Sequence, residues 1–386
     1  MNFMGILVTL VTSFVITSVI GIWLIPFLHK LRYGQTILDI GPAWHKNKQG
    51  TPTMGGLMFI IGIVIACAAG WITMKFSSHG LADAGPNGSF YLVGGLLMSL
   101  GFAAIGFLDD YIKVVKKRNL GLKAWQKSCG QLFVAVAYLI GEALLAPTTM
   151  VWIPFAGEFN FGFLYYPLML FIIVGAVNSV NLTDGIDGLA SGLSAIALAF
   201  FAGLFYLHGV YDCAIIAVAT LGVVLSFFYF NVFGDASRYK KIFMGDTGSL
   251  TLGFILTCLA FRTLHLPEAA PSDNINRFVL AFSPLLVPCM DVVRVFIVRI
   301  MHKKNPFMPD KRHLHHAMMA AGIPHRGTMM LILLVSITFI VLDCYISQLF
   351  NVTYVLLIDI ALYLGLMLLL RYFRLKRTAA EDANAN

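Results

Sequence analysis

Long apolar runs separated by short polar segments fill most of this 386-residue chain. Each run can cross a bilayer core of about 30 Å as a helix. With 59% hydrophobic and 12% charged residues, the composition excludes an ordinary soluble domain. The runs can be drawn at 3–27, 54–75, 90–108, 130–147, 162–180, 188–207, 212–232, 248–264, 278–300, 328–348 and 351–371. The sequence therefore predicts an all-α polytopic integral membrane protein with about eleven transmembrane helices.

Lysine and arginine concentrate in alternate loops, at 28–53, 109–129, 233–247 and 294–326, and after residue 371. Because cytoplasmic loops carry an excess of basic residues, the N-terminus is predicted outside and the C-terminus in the cytoplasm. The formal charge of +8 then reflects topology and anionic membrane lipid. We expect no nucleic-acid partner.

The sequence shows no clear domain boundary, so we predict one transmembrane domain over 1–377 and a polar tail over 378–386. The first apolar run is too long and uniform for a signal peptide and is expected to be a retained helix. The six cysteines are scattered without a CxxC pair, which indicates neither a disulfide framework nor a zinc site.

An acidic pair, Asp109 and Asp110, ends the third apolar run. Carboxylates at adjacent positions of a helix point to different faces, so the pair can serve two partners, such as a metal cation and a lysine. A solvated helix cap is the alternative reading of the pair.

Two further segments place acidic residues at the ends of apolar runs. Residues 178–190 contain two Asn and two Asp, and Asp184 and Asp187 share a face if the segment is helical. An Asx turn between helices is the alternative. In 243–249, Asp246 lies between glycines and hydroxyl residues, a pattern suited to a hard cation and phosphate. An ordinary helix N-cap is compatible with that role.

A histidine-rich loop, 305–316, carries three His in four positions beside Lys and Arg. Such a loop suits a pyrophosphate. Zinc is the rival ligand, but the neighbouring positive charges oppose a second cation.

Taken in order, 50–56, Asp109-Asp110, 178–190, Asn231 and 244–249 resemble the motifs of the polyprenyl-phosphate N-acetylhexosamine-1-phosphate transferases, of the glycosyltransferase family 4 type. The resemblance runs from about residue 28 to 326. It implies transfer of a sugar 1-phosphate from a UDP-N-acetylhexosamine to undecaprenyl or another polyprenyl phosphate. UMP is released, and cell-envelope glycan synthesis begins.

The resemblance also implies roles for individual residues. Asp246 and Asp110 would hold Mg²⁺, for which Mn²⁺ can substitute. The catalytic residues would be Asp109, Asp110, Asp246 and His315. The substrate-binding residues would be Lys48, Lys127, Asn178, Asn181, Asp184, Asp187, Asn231, Phe243, Arg312, His313 and His316. A phosphate monoester is already largely dianionic at neutral pH, so Asp109 is expected to organise charge more than to remove a proton.

Two branches of that family are represented. Residues 51–56 and 108–131 look like the phospho-MurNAc-pentapeptide translocase of peptidoglycan synthesis. Residues 290–291 and 306–316 look like the GlcNAc-1-phosphate transferases that start O-antigen of lipopolysaccharide and related polymers. Because the histidine loop lies where the sugar should be selected, we expect GlcNAc-1-phosphate transfer. Phospho-MurNAc-pentapeptide transfer is the alternative. The active site is expected to face the cytoplasm at the inner (plasma) membrane.

A transporter of lipid-linked sugars is the alternative of another class. Its proton path could use the intramembrane carboxylates Glu142, Asp343 and Asp359. Their scatter away from the motifs favours packing instead. The uncharged lipid-facing runs permit a homodimer without requiring one.

Overall fold

The computed structural model describes residues 3–30, 51–75, 90–116, 121–145, 149–153, 155–266, 276–305 and 312–385. Its contacts divide the chain into two compact units. The first unit contains Met1–Val151 and Glu158–Glu268, and the second contains Trp152–Gly157 and Ala269–Asn386. Each unit is described by itself below.

Helices make up nearly all of the regular structure. The first unit contains α1 (Phe3–Lys30), α2 (Gly56–Lys75), α3 (Gly95–Val115), α4 (Ala124–Leu145), α5 (Tyr165–Thr183), α6 (Leu189–Leu207), α7 (Tyr211–Phe228) and α8 (Gly245–Leu264). The second contains α9 (Arg277–Phe282), α10 (Leu286–Met301), α11 (Leu314–Ala320), α12 (His325–Ile346) and α13 (Val352–Ala385). Strands β1 (Met150–Ile153) and β2 (Gly157–Asn160) form a two-stranded sheet. Short π- or 3₁₀-helical turns lie at Phe90–Gly94, Gly162–Leu164, Tyr229–Phe233, Ala236–Arg238 and Ser283–Leu285.

The all-α polytopic membrane fold is confirmed. In the described part of the chain, 10 helical segments are long and apolar enough to cross a membrane. The predicted run at 130–147 overlaps α4, and α4 is not among those segments. The count is therefore one below the predicted eleven. Helix α13 continues to Ala385 and so includes most of the predicted polar tail, for which the sequence specified no secondary structure. The orientation of the termini and the single domain 1–377 stay predictions.

Helix α8 lies at the centre of the first unit. It packs against α2, α3 and α5, and most of its residues are buried. The hydroxyl groups of Ser249, Thr251 and Thr257 donate to the carbonyl oxygens four residues earlier, at 3.0, 2.6 and 2.7 Å. Each hydroxyl is therefore satisfied within its own helix, which lets a polar sequence occupy a buried position.

Two glycines let neighbouring helices approach the first turn of α8 closely. A Cβ atom added at Gly56 would lie 2.2 Å from the backbone nitrogen of Gly248. One added at Gly106 would lie 2.3 Å from the carbonyl oxygen of Asp246. Small residues at helix contacts allow such backbone approach. The polar end of α3 and the start of α2 therefore meet the polar start of α8.

We expect Gly56→Ala to destabilise the detergent-solubilised protein by about 1–3 kcal/mol, because backbone atoms of α8 cannot yield to the new methyl group. Gly203→Ala is the matched control, since nothing lies within 4 Å of the Cβ position at this helical glycine. It should be neutral or stabilising by up to about 1 kcal/mol. Thermal unfolding followed by size-exclusion chromatography measures both, and equal midpoints would contradict the close packing.

Candidate active site

The polar ends of four helices meet in the first unit. Asp109 and Asp110 lie near the end of α3, Asp246 in the first turn of α8, Asn181 near the end of α5 and Lys127 in the first turn of α4. Asp109, Asp110 and Asp246 each offer one carboxylate oxygen within 4.8 Å of the others. The sequence-predicted convergence of these three carboxylates is therefore present in the structure.

Asp110 caps the N-terminus of α8. Its Oδ1 accepts a hydrogen bond from the backbone N–H of Asp246 at 3.1 Å. Its Oδ2 accepts from the N–H and the hydroxyl of Thr247, at 2.9 and 2.7 Å. The side chain is buried, and these donors would otherwise be left unsatisfied at the helix end. Asp110 therefore caps a helix distant in sequence, and it does so as a buried group rather than as the solvated cap considered for the acidic pair.

Asp246 faces two ammonium groups and one amide. Its Oδ2 lies 2.8 Å from Nζ of Lys113 and 3.2 Å from Nζ of Lys127. Its Oδ1 accepts from Nδ2 of Asn181 at 2.8 Å, and the same amide donates to Oγ of Ser249 at 2.7 Å. Asn181 therefore fixes the plane of the Asp246 carboxylate within the unit.

Lys113 joins the acidic pair to Asp246. Its Nζ lies 2.6 Å from Oδ2 of Asp109 as well as 2.8 Å from Oδ2 of Asp246. Oδ1 of Asp109 accepts from the N–H of Leu122 at 2.8 Å, which closes the loop after α3 onto the helix end. From the sequence, Lys113 was expected only as one of the basic residues of 109–129. The spacing of four residues from Asp109 was the available signal.

The segment 52–56 acts through its backbone. The N–H groups of Gly55 and Gly56 donate to the carbonyls of Phe243 and Met244, each at 3.0 Å. The N–H of Phe243 donates to the carbonyl of Pro52 at 2.9 Å. This pairing holds the chain just before α8. Contact of the half-buried Phe243 side chain with a substrate stays a prediction.

Two asparagines that were predicted to bind substrate are engaged within the unit. Asn231 accepts from the N–H of Gly188 at 2.6 Å and donates to the carbonyl of Ile242 at 2.9 Å. Asn178 exchanges side-chain amide hydrogen bonds with Gln131, the shorter at 2.7 Å. Both contacts join segments distant in sequence, so they orient the site whatever else these residues bind.

Asp184 and Asp187, both predicted to bind substrate, follow the end of α5. Asp187 pairs with Lys241, whose Nζ lies 2.8 Å from Oδ2. Asp184 is exposed at the end of α5 and makes no ion pair among those found in the described residues. Lys241 was not singled out by the sequence. Lys48 lies outside the described residues.

In the second unit, Asp291 organises the histidine segment. Its Oδ2 lies 2.8 Å from Nδ1 of His313. Its Oδ1 accepts from Nη2 of Arg294, from the N–H of Leu314 and from the hydroxyl of Tyr363, at 2.8, 2.9 and 3.0 Å. The start of α11 is thereby tied to α10 and α13. His313 has a fold contact that its predicted substrate role did not include.

The other two histidines follow in α11. The rings of His315 and His316 have centroids 4.2 Å apart, and Arg312 is half-buried just before them. Burial and the nearby His316 lower the pKa of His315 to about 3. Without a bound anion His315 is therefore neutral near pH 7, where it can offer hydrogen bonds but no positive charge. Its predicted catalytic role stays a prediction.

Comparisons with known proteins identify the family of this chain. The model of the family "Glycosyl transferase family 4" matches residues 92–263. A phospho-N-acetylmuramoyl-pentapeptide-transferase of Bacillus subtilis (strain 168) is 44% identical over 259 residues, 67% of this chain and 75% of the relative. The chain belongs to glycosyl transferase family 4. It is a polyprenyl-phosphate sugar-1-phosphate transferase, as the sequence motifs implied.

Other similarities concern the branch of the family. The "Phospho-N-acetylmuramoyl-pentapeptide-transferase signature 1" matches residues 48–60 of the transferase. Proteins named phospho-N-acetylmuramoyl-pentapeptide-transferase from Halalkalibacterium halodurans and Geobacillus thermodenitrificans are each 43% identical to it. The first covers 66% of the chain and 74% of the relative, and the second covers 67% and 75%. These findings favour the alternative over the expected GlcNAc branch. They also favour an enzyme over a transporter.

We expect Asp110→Asn to lower the unfolding free energy of the transferase by about 1–3 kcal/mol, because an amide NH₂ group would face the donors of α8 in place of an acceptor. Asp246→Asn is the matched comparison, because the Asp246 side chain accepts from no backbone N–H among the described hydrogen bonds. It should keep the fold and lose transfer. Thermal unfolding and UMP release measure the two effects. A larger loss of stability in Asp246→Asn would contradict the capping role.

Proposed function

We propose that the transferase moves phospho-MurNAc-pentapeptide from its UDP carrier to undecaprenyl phosphate, at the cytoplasmic face of the plasma membrane. The observation that carries this proposal is the translocase signature at 48–60, together with relatives of that name at 43–44% identity. Part of this signature, at 52–56, is the segment that pairs with the chain before α8. The proposal reverses the expectation from the histidine loop.

The reaction brings anions together. An oxygen of the lipid phosphate attacks the sugar-bearing phosphorus of the UDP-sugar, and the bond from that phosphorus to the bridging oxygen breaks. UMP leaves with that oxygen, and a lipid diphosphate sugar remains. With a dianionic lipid phosphate, the charges balance without proton transfer. Lys113 and Lys127, both beside Asp246, are the cations of the first unit placed to attract the phosphates.

The three carboxylates fit a bound Mg²⁺. Mg²⁺ prefers oxygen ligands, usually one or two carboxylates completed by phosphate and water. Asp246 and Asp109 would hold it through their Oδ2 atoms, because both oxygens of Asp110 are occupied as the cap of α8. This choice replaces the predicted ligand Asp110 by Asp109. When bound, the ion would neutralise charge on the diphosphate and on the leaving UMP.

Asp109 organises charge in this proposal. Its Oδ1 holds the N–H of Leu122 and its Oδ2 faces the ammonium of Lys113. The lipid phosphate has its second pKa near ~6 and needs no base at neutral pH. The contacts of Asp109 are therefore sufficient to explain a requirement for its charge.

We expect Asp109→Asn to lower the rate of UMP release at every pH from about 5.5 to 9, with no partial recovery above the lipid phosphate pKa near ~6. The variant loses charge organisation, which alkaline buffer cannot restore. Initial rates across that range, compared with those of the unaltered transferase, test this role. A log-linear rise of the variant's rate with pH would instead identify Asp109 as a general base.

Transfer of GlcNAc-1-phosphate is the second candidate. The observation that favours it is the second unit, where Asp291 and His313 form a histidine-rich site that neither family-model match reaches. This candidate assigns selection of the sugar to the second unit. In either case the membrane orientation, a homodimer and the use of Mn²⁺ remain predictions.

The deciding experiment supplies the purified transferase with undecaprenyl phosphate, Mg²⁺ and either UDP-MurNAc-pentapeptide or UDP-GlcNAc. We expect UDP-MurNAc-pentapeptide to be used with a kcat/KM at least about 100-fold higher, equivalent to about 2.7 kcal/mol of transition-state stabilisation. Asp246→Asn provides the background rate of UMP release. Turnover of UDP-GlcNAc alone would select the second candidate and leave the family unaffected.

A further inference from the structure

The ammonium of Lys113 lies between the carboxylate oxygens that are proposed to bind the metal. Its Nζ lies 2.6 Å from Oδ2 of Asp109 and 2.8 Å from Oδ2 of Asp246, so one ammonium bridges the two oxygens proposed to bind Mg²⁺. A third carboxylate oxygen, Oδ1 of Asp110, lies 3.9 Å away. The ammonium therefore acts as the resident counter-ion of the site.

The three side chains of these ion pairs differ in their exposure to solvent. The side chain of Asp109 is 5% exposed and that of Asp246 is 16% exposed, whereas that of Lys113 is 35% exposed. Of these three side chains, that of Lys113 is therefore the one that solvent reaches most readily. Mg²⁺ requires oxygen ligands at about 2.0–2.1 Å, closer than the ammonium lies. Two cations bridging the same oxygens would also repel each other strongly in a partly buried site.

The contacts of Lys113 allow its ammonium to move away from the carboxylates. Its ammonium ends a flexible four-carbon stem and makes no hydrogen bond that a backbone group requires. Asp109 and Asp246, in contrast, are held from their other oxygens by the N–H of Leu122 and the amide of Asn181. The carboxylates therefore keep their positions when the ammonium moves. Removing Lys113 would free Oδ2 of Asp109, and Oδ2 of Asp246 would keep its contact with Lys127 at 3.2 Å.

We propose that Lys113 and the divalent metal are alternative occupants of this carboxylate cluster, so that metal binding displaces the Lys113 ammonium from Asp109 and Asp246. The inference rests on the proposed Mg²⁺ site but not on the identity of the sugar. The displaced ammonium becomes available to phosphate oxygens at the moment the metal arrives. Lys113 thus suppresses metal binding in the resting site and contributes a second cation to the loaded one.

The test measures binding of Mn²⁺ to the full-length transferase in detergent, with free Mn²⁺ followed by electron paramagnetic resonance and no substrate present. Lys113→Met removes the ammonium at similar side-chain length, and we expect its Mn²⁺ dissociation constant to fall at least about tenfold. Lys113→Arg keeps the charge and should bind Mn²⁺ no more tightly than the unaltered transferase. Lys116→Met is the matched control, an exposed lysine of the same region, and should change the constant less than about twofold.

A second measurement needs no variant. Amine labelling of the unaltered transferase, read by peptide mass spectrometry, should show that Mg²⁺ increases the reactivity of Lys113 relative to that of Lys116. An unchanged or weaker Mn²⁺ affinity in folded Lys113→Met overturns the inference. Labelling of Lys113 that is unchanged or lower with Mg²⁺ also overturns it. A lack of Mn²⁺ binding to both the unaltered transferase and Lys113→Met does so as well. The substrate comparison above decides the proposed function separately, because neither readout here depends on transfer.

Discussion

A buried carboxylate that caps a helix of another segment determines the geometry of this active site. Asp110, near the end of α3, receives the first N–H groups of α8, where an anion is also favoured by the helix dipole. Asp246 belongs to the same turn, so the contact between α3 and α8 sets its position. On the other side, the backbone of 52–56 holds residues 243 and 244. A segment without charged side chains thereby becomes part of a charged site.

The sequence predicted the helices from local rules, and it predicted the shared site of the carboxylates from the resemblance to the transferase family. Apolar runs of sufficient length become membrane helices, and acidic residues at their ends must find cations or donors. It did not predict which cation. The basic stretch 109–129 contains several lysines, and Lys113, in the last turn of α3, is the one that lies one helical turn from Asp109. The hydrogen bonds of Asn231 could not be predicted from the sequence, because tertiary packing brings its partners Gly188 and Ile242 to it.

The expectation of the GlcNAc branch came from reading a basic, histidine-rich motif as a substrate contact alone. In the structure His313 lies against Asp291, a carboxylate that also receives Arg294, Leu314 and Tyr363. A buried carboxylate with that many donors holds a fold together. The density of basic residues in the motif is therefore partly structural. Sequence composition could not separate this role from anion binding, since both require the same side chains.

The contacts within the first unit separate fixed groups from exchangeable ones. Asp110 is bound by backbone donors that cannot leave without unravelling a helix end. Asp109 and Asp246 are completed by ammonium groups on flexible stems. Buried carboxylates need compensation at all times, yet a reaction between phosphates needs positive charge only when the phosphates are present. Lysines that neutralise the carboxylates at rest and can follow arriving anions satisfy both demands, because the rigid part of the site is held by Asp110 and not by them.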